Sequence, residues 1–242
     1  MDRLLSSSSR PASVHDEDES SLAPPNARFT VGVYDHRMGE ILSDDLAAFI
    51  LAGGKSSRMG QDKSSLQLGG ETLLKHCLKI ASQAAESVRI VGDRPEFEKF
   101  ATTVEDVHRD CGPLGGIHAA LAHSQCKWNL MLAVDLPFVE AGFLKYLTIQ
   151  ARESGAMVTI PRAGGGWQPL CAIYRQDFVS VAEKALQSGN NKIDPLFREI
   201  DMRIVEKKEI LEAGFSPRMF CNVNTPAEWE EAVSHYRQQI AR

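Results

Sequence analysis

No stretch of this 242-residue chain approaches the roughly 18 consecutive apolar residues that a membrane-spanning helix needs. The Leu4-Leu5 pair is followed at once by SSSSRPAS, an apolar region too short for a secretory signal. An excess of positive charge is missing too: 27 basic residues against 32 acidic ones give a formal net charge of −5. No bulk attraction therefore draws the chain to nucleic acid or to an anionic membrane, and any basic site must be local. The five cysteines (Cys77, Cys111, Cys126, Cys171 and Cys221) are odd in number, widely spaced and without a CxxC pair. That argues against a disulfide framework and against a zinc site, and a reducing cytoplasm is the expected compartment. No internal repeat is present.

What is there is one α/β pattern behind a polar tail. Residues 1–43 are rich in serine, proline and acid, as in HDEDESS and APPNAR, a composition that cannot bury enough surface to offset chain entropy. They are expected to be a disordered extension; FTVGVYD alternates like a short strand, weakened by Gly32. The folded domain is expected over residues 44–242. LAAFILA (Leu46 to Ala52) is an apolar run of strand length. A helix follows over about Glu71 to Ala85, where Leu74, Cys77, Leu78, Ala81 and Ala85 share a face. SVRIVG and ATTVED read as strands separated by a short helix near PEFEKF, and a helix opens in CGPLGGIHAAL. WNLMLAVDLP reads as a buried strand ending in an acid. AGFLKYLTIQARES and QDFVSVAEKALQ are helical, GAMVTI and QPLCAIYR are strands, and TPAEWEEAVSHYRQQI closes the chain with Thr225 as N-cap and Pro226 at the first helical position. Strands that alternate with helices and read as unbroken apolar runs imply a parallel sheet covered on both faces, with ligands at the carboxyl ends of its strands.

The stretch FILAGGKSSRMGQDKSSL, from Phe49 to Leu66, contains GKS at Gly54, Lys55 and Ser56, but a P-loop needs a glycine five positions earlier and that position is Phe49. The dinucleotide fingerprint G-x-G-x-x-G fails as well, because the glycines stand at Gly53, Gly54 and Gly60. What survives is a strand, a loop whose glycines let backbone N–H groups approach a phosphate or base, and two cations, Arg58 and Lys63, that can neutralise a polyphosphate. The plain alternative is a βα turn with solvated basic residues.

Other constellations admit two readings each. Asp135 in AVDLPF stands past the end of an apolar strand, placed either to hold Mg²⁺ against substrate phosphates or to cap the next helix. GPLGG, Gly112 to Gly116, is a helix N-terminus open to an anion, or a tight turn. Gly164 to Gly166, ahead of Gln168 and Pro169, read as a flexible hairpin. In NVNTP, Asn222 and Asn224 can bind the loop backbone or a ligand. Lys192 in SGNNKID can present a cation to a phosphate, but reads rather as part of a solvated turn. His108, His118 and His123 make no ligand triad, since His118 and His123 are five apart on a helix and point to different faces. Cys77 reads as a small core residue rather than a nucleophile.

LAGGKSSRMGQDK resembles the signature of nucleotidyltransferases built as one doubly wound α/β domain, and most of all the molybdenum cofactor guanylyltransferase family. The family pattern L-A-G-G-x-S-x-R-M-G-x-x-K is matched at every fixed position from Leu51 to Lys63. The resemblance continues through EDVHRDCGPLGGIHAAL, LMLAVDLPFV, QPLCAIY and NVNTPAEWEEA, from about Leu46 to the C-terminus, and leaves out the first 43 residues. It implies a mostly parallel, three-layer α/β/α fold and transfer of GMP from GTP to the terminal phosphate of molybdopterin, or Mo-molybdopterin, with release of pyrophosphate. By the same resemblance Leu51, Ala52, Gly53 and Gly54 cradle the nucleotide and Arg58 and Lys63 hold its phosphates. Asp135 anchors Mg²⁺, Asp106 contacts the guanine nucleotide with Asp110 close by, and Gln168, Asn222 and Asn224 lie toward the acceptor. Cofactor-delivery or acceptor proteins are the implied partners. The family places an asparagine after the second strand, where this chain has Gly92 and Asp93. Alternatives are a sister enzyme using CTP or a sugar-phosphate acceptor, and a nucleotide-binding module without turnover.

Overall fold

The computed structural model of the protein describes residues 45–53, 62–108 and 110–240. The expected N-terminal extension and the FTVGVYD segment lie outside them, as do Gly54 and Arg58 of the glycine loop. In chain order the elements are β1 (Leu46–Leu51), β2 (Gln67–Leu68), β3 (Glu71–Thr72), α1 (Leu73–Ala81), β4 (Ser87–Val91), β5 (Thr103–Val104), α2 (Gly112–Ala122) and β6 (Trp128–Ala133). They continue as α3 (Ala141–Ser154), β7 (Val158–Ala163), β8 (Gly166–Trp167), β9 (Cys171–Arg175), α4 (Phe178–Gln187), β10 (Met202–Glu206), α5 (Lys207–Glu212) and α6 (Pro226–Ile240). No described helix is long and apolar enough to cross a membrane.

The main sheet runs β10-β7-β9-β6-β1-β4-β5, with β8 paired to β7. β1 sits between β4 and β6, parallel to both, from Ala47 opposite Ser87 to Leu51 opposite Val91 on one side and from Leu46 opposite Trp128 to Leu51 opposite Ala133 on the other. The chain first builds outward from β1 to β4 and β5, then returns to β6 on the opposite flank, so strand order reverses at β1. Leu46, Ala48 and Ile50 pack with α1 and α3, while Ala47 and Phe49 pack with α2 and α4. Because successive strand side chains point to opposite faces, this division defines the expected three-layer α/β/α arrangement.

β9 departs from a wholly parallel sheet, running antiparallel to both β6 and β7. Its apolar run reports burial on two faces, and burial carries no information about direction. The helix expected from Glu71 starts at Leu73, because the Thr72 hydroxyl caps it by accepting from the Lys75 N–H at 3.3 Å, while Glu71 and Thr72 pair with Gln67 and Leu68. It stops at Ala81, whose carbonyl takes the N–H groups of both Ala84 and Ala85. β10 and α5 carry no apolar run to announce them; β10 is an edge strand with only Val205 buried. The glycine hairpin is real: Gly164 and Gly165, at φ of 62° and 85°, form the two-residue turn between β7 and β8 that only left-handed backbone can close.

Two packing contacts define the fold's tolerance. Phe143 on α3 is fully buried and meets Phe215 and Phe220 edge to face at 5.4 Å each. Phe143→Ala is expected to cost ~3–5 kcal/mol of stability, read as a lowered midpoint in urea unfolding. Gly115 on α2 lies so near the preceding loop that a Cβ there would stand 2.8 Å from the His108 carbonyl oxygen and 3.1 Å from Asp106 Oδ2. Gly115→Ala must push that loop off the helix and is expected to cost ~1–3 kcal/mol by the same assay, whereas an unchanged midpoint would show that the loop yields freely.

Candidate active site

The ends of β1, β4, β5 and β6 bring their following loops to one edge of the sheet. Hydrogen bonds fix that edge: Ala52 N–H donates to the Val91 carbonyl at 3.1 Å, Val134 N–H to Leu51 at 3.2 Å and Gly92 N–H to Val104 at 3.0 Å. Leu51, Ala52 and Gly53 therefore lie beside the start of the β6–α3 loop, where Asp135 stands two residues past the strand. Gly53 is exposed; Gly54 and Arg58 are outside the described residues.

Lys63 is the hub. Its ammonium donates to Asp135 Oδ2 at 2.9 Å and to Asn224 Oδ1 at 2.7 Å, joining three residues up to 161 positions apart. The side chains are 17% and 19% exposed for Lys63 and Asp135, enough shelter to strengthen the pair over a surface ion pair while leaving an approach from solvent. Each partner is held from behind. Lys63 opens a short 3₁₀ turn, Lys63–Ser65, capped by Asp62, whose Oδ1 accepts from the Ser64 N–H at 3.1 Å and whose Oδ2 takes Arg94. The Asp135 carbonyl accepts from the Val223 N–H at 3.1 Å. Asn224 and Thr225 donate their N–H groups to Glu228 Oε2 at 2.7 and 2.9 Å, and the Glu228 N–H returns to the Thr225 hydroxyl at 3.3 Å. This reciprocal cap at the start of α6 bears out Thr225 as N-cap. The Asn224 N–H is also the largest influence holding the Glu228 carboxyl below its usual range.

The remaining expected residues stand at separate places in the fold. Gln168 reaches the same edge because β9 runs backwards: its N-terminal end, with Cys171 opposite Leu132, adjoins the carboxyl end of β6, and Ala133 N–H donates to Leu170 at 2.7 Å. Its side-chain amide closes the glycine hairpin by donating to the Ala163 carbonyl at 2.9 Å. Asn222 is exposed, next to the Val223 that anchors on Asp135. Asp106 follows β5; its Oδ1 accepts from the His108 N–H at 3.0 Å, and burial, the largest cause, raises its carboxyl above the usual range. Asp110, the near neighbour, is instead an exposed residue at φ 60° ahead of α2. Cys77 is a fully buried core residue beneath Asp135; burial first, and that carboxylate second, push its thiol up to about 12, which rules out a nucleophile.

Sequence reasoning missed three supports of the hub, Asp62, Arg94 and Glu228, and one further cluster. Asp62 and Arg94 orient the Lys63 turn from 32 positions apart, a separation that leaves no local trace. Glu228 was legible in T-P-A-E as the fourth residue of a capping box. His108 and His118, set aside as a triad with His123, do meet, but with Glu183 on α4 as their third member. His123 turns away and contacts the Ala119 carbonyl.

Comparison with known proteins identifies the family and the fold. Residues 48–203 match the family model described as the MobA-like NTP transferase domain. A molybdenum cofactor guanylyltransferase from Syntrophotalea carbinolica is 33% identical over 189 residues, 76% of this chain and 89% of that protein. A Clostridium perfringens protein named "Probable molybdenum cofactor guanylyltransferase" is 32% identical over 191 residues, 77% of this chain and 96% of its own length. Among solved structures, molybdopterin-guanine dinucleotide biosynthesis protein A from Archaeoglobus fulgidus superposes with a TM-score of 0.71 at 26% identity, over 79% of this chain and 99% of that one. The glycine loop at the end of β1, the lysine held on an aspartate at the end of β6 and the match over most of the chain lead to one conclusion: the protein belongs to the MobA-like NTP transferase family and is a nucleotidyltransferase.

Proposed function

We propose that the protein transfers GMP from GTP to the terminal phosphate of molybdopterin or its molybdenum-loaded form, releasing pyrophosphate. The observation that carries this reading is the Lys63 ammonium held between Asp135 and Asn224 at the sheet edge. An ammonium has three N–H donors; two are engaged among the described residues, which leaves a third to offer a phosphate oxygen. The acceptor phosphate oxygen attacks the α-phosphorus in line, forming a new P–O bond as the bond to the β-phosphate oxygen breaks. A phosphate monoester is already ionised near neutral pH, so no general base is needed. The protein's work is alignment and charge neutralisation. Leu51 to Gly54 would cradle the nucleotide, Lys63 and Arg58 would stabilise the departing pyrophosphate, and Asp106 would face the nucleoside. Gln168, Asn222 and Asn224 would line the acceptor side.

The family reading also implies a divalent ion, and Asp135 suits Mg²⁺. Lys63 takes Oδ2, and Oδ1 has no protein partner among the described residues, so one carboxylate oxygen remains for an ion that fills its shell with water and substrate phosphate. When bound, that ion would neutralise charge on the phosphate oxygens. We infer a cytoplasmic setting from the five free cysteines, of which Cys77 and Cys171 are buried. Delivery or acceptor proteins for the cofactor belong to the same reading.

Base choice rests on a specific departure. A Cβ at Gly92 would meet the Phe97 ring at 2.9 Å, so the family's asparagine does not fit there with Phe97 in place, and Asp93 is the exposed residue beside it. This favours testing a cytidylyl reading beside the guanylyl one. With molybdopterin as acceptor and each of the four nucleoside triphosphates in turn, pyrophosphate release is expected with GTP; release with CTP instead would reassign the nucleotide, and release with none would leave a binding module. Asp135→Ala is expected to lower guanylyl transfer by at least about 100-fold. Activity within about threefold of the parent, under ~0.7 kcal/mol of barrier, would remove it as the metal anchor. Lys63→Ala is expected to reduce turnover comparably with the far-ultraviolet circular dichroism retained, and unchanged turnover would contradict the phosphate role.

A further inference from the structure

A second set of ligating side chains lies away from Lys63 and Asp135, where the loop after β5 meets α2 and α4. His108 comes from the loop, His118 from α2 and Glu183 from α4. Glu183 Oε2 stands 2.5 Å from His118 Nε2 and 3.1 Å from His108 Nε2. The two rings are 4.8 Å apart at 74°, and the three ligating atoms lie within 4.8 Å of one another. We infer that His108, His118 and Glu183 form a binding site for one divalent transition-metal ion of the zinc type.

Two features support a built site rather than a chance meeting. His118 is only 8% exposed, and the contact of its Nε2 with Glu183 is the polar contact its ring makes among the described residues. Glu183 is oriented on its other oxygen: Gln187 donates to Oε1 at 2.6 Å, the kind of outer contact that fixes a carboxylate ligand.

The donor set selects the ion. Two imidazole nitrogens and one carboxylate oxygen suit zinc and its neighbours, whereas Mg²⁺ prefers oxygens alone and keeps its waters. This ion is therefore chemically distinct from the one implied at Asp135. Zinc–nitrogen bonds of about 2.0–2.1 Å place tetrahedral ligands about 3.3 Å apart. The His108–Glu183 spacing of 3.1 Å already suits this, His118 and Glu183 must part by less than ~1 Å, and the two imidazole nitrogens, within 4.8 Å of each other, must close by up to ~1.5 Å. The fourth position is left to water. An ion here ties the loop to both helices, and because His108 N–H donates to Asp106, it steadies the Asp106 carboxylate too.

The test uses the full chain stripped with chelator and then titrated with Zn²⁺ and, as a spectroscopic probe, Co²⁺. One ion per chain is expected, with cobalt d–d bands and no thiolate-to-metal charge-transfer band, and Zn²⁺ should raise the melting temperature by mass action. His108→Ala and Glu183→Gln, both at partly exposed positions that the fold tolerates better than a change at His118, are each expected to weaken binding more than about tenfold and abolish the thermal shift. Absence of binding, a thiolate band, affinity for Mg²⁺ equal to that for Zn²⁺, or unchanged affinity in both variants would each overturn the site.

Discussion

Everything at the site depends on β1 being paired in parallel on both sides. A strand buried on two faces and bonded along both edges has no freedom of register, since a one-residue slip would exchange the halves of the core. Parallel neighbours end on the same side, so the loops after β1, β4 and β6 have to emerge together. The sheet thus turns three separate stretches of sequence into one surface, and reversal of strand order at β1 opens the space in which that surface can hold a ligand.

On that surface charge is balanced locally rather than globally. A chain of net charge −5 presents to phosphates an edge where the carboxylate of Asp135 is already matched by Lys63. The edge therefore presents a preset cation instead of a bare acid. The second cluster is organised by different chemistry: imidazole and carboxylate gathered by helix packing, not by strand ends. The loop that carries both Asp106 and His108, on which Gly115 closes, links the two sites.

The layers, most helices and the principal strands were legible because hydrophobic period and turn residues act locally. Ala141–Ser154 emerges with the bounds that its sequence suggests, since Gly155 in left-handed conformation ends it. Strand direction for β9 was not legible, nor was the edge strand β10, whose stability comes from pairing with β7 rather than from an apolar pattern. At the site, Lys63, Asp135 and Asn224 were visible through a family signature, and their meeting is geometric fact. The partners that hold them, Asp62, Arg94 and Val223, were invisible, because each acts through a contact between distant segments that no spacing rule encodes. His108 and His118 were seen as residues and missed as a pair for the same reason: Glu183 is 75 positions from His108.

The cap of α6 deserves a last consequence. Asn224 supplies a site contact with its side chain and a helix cap contact with its own N–H, through Glu228. One residue is thereby shared between a catalytic edge and the first turn of a terminal helix, and local opening of that turn releases both at once. Helix ends are among the first segments of a fold to open. The Asn224 contact is thus as well ordered as the entry to α6 allows, so the fluctuation spectrum of that helix sets a ceiling on how long Lys63 keeps its second anchor.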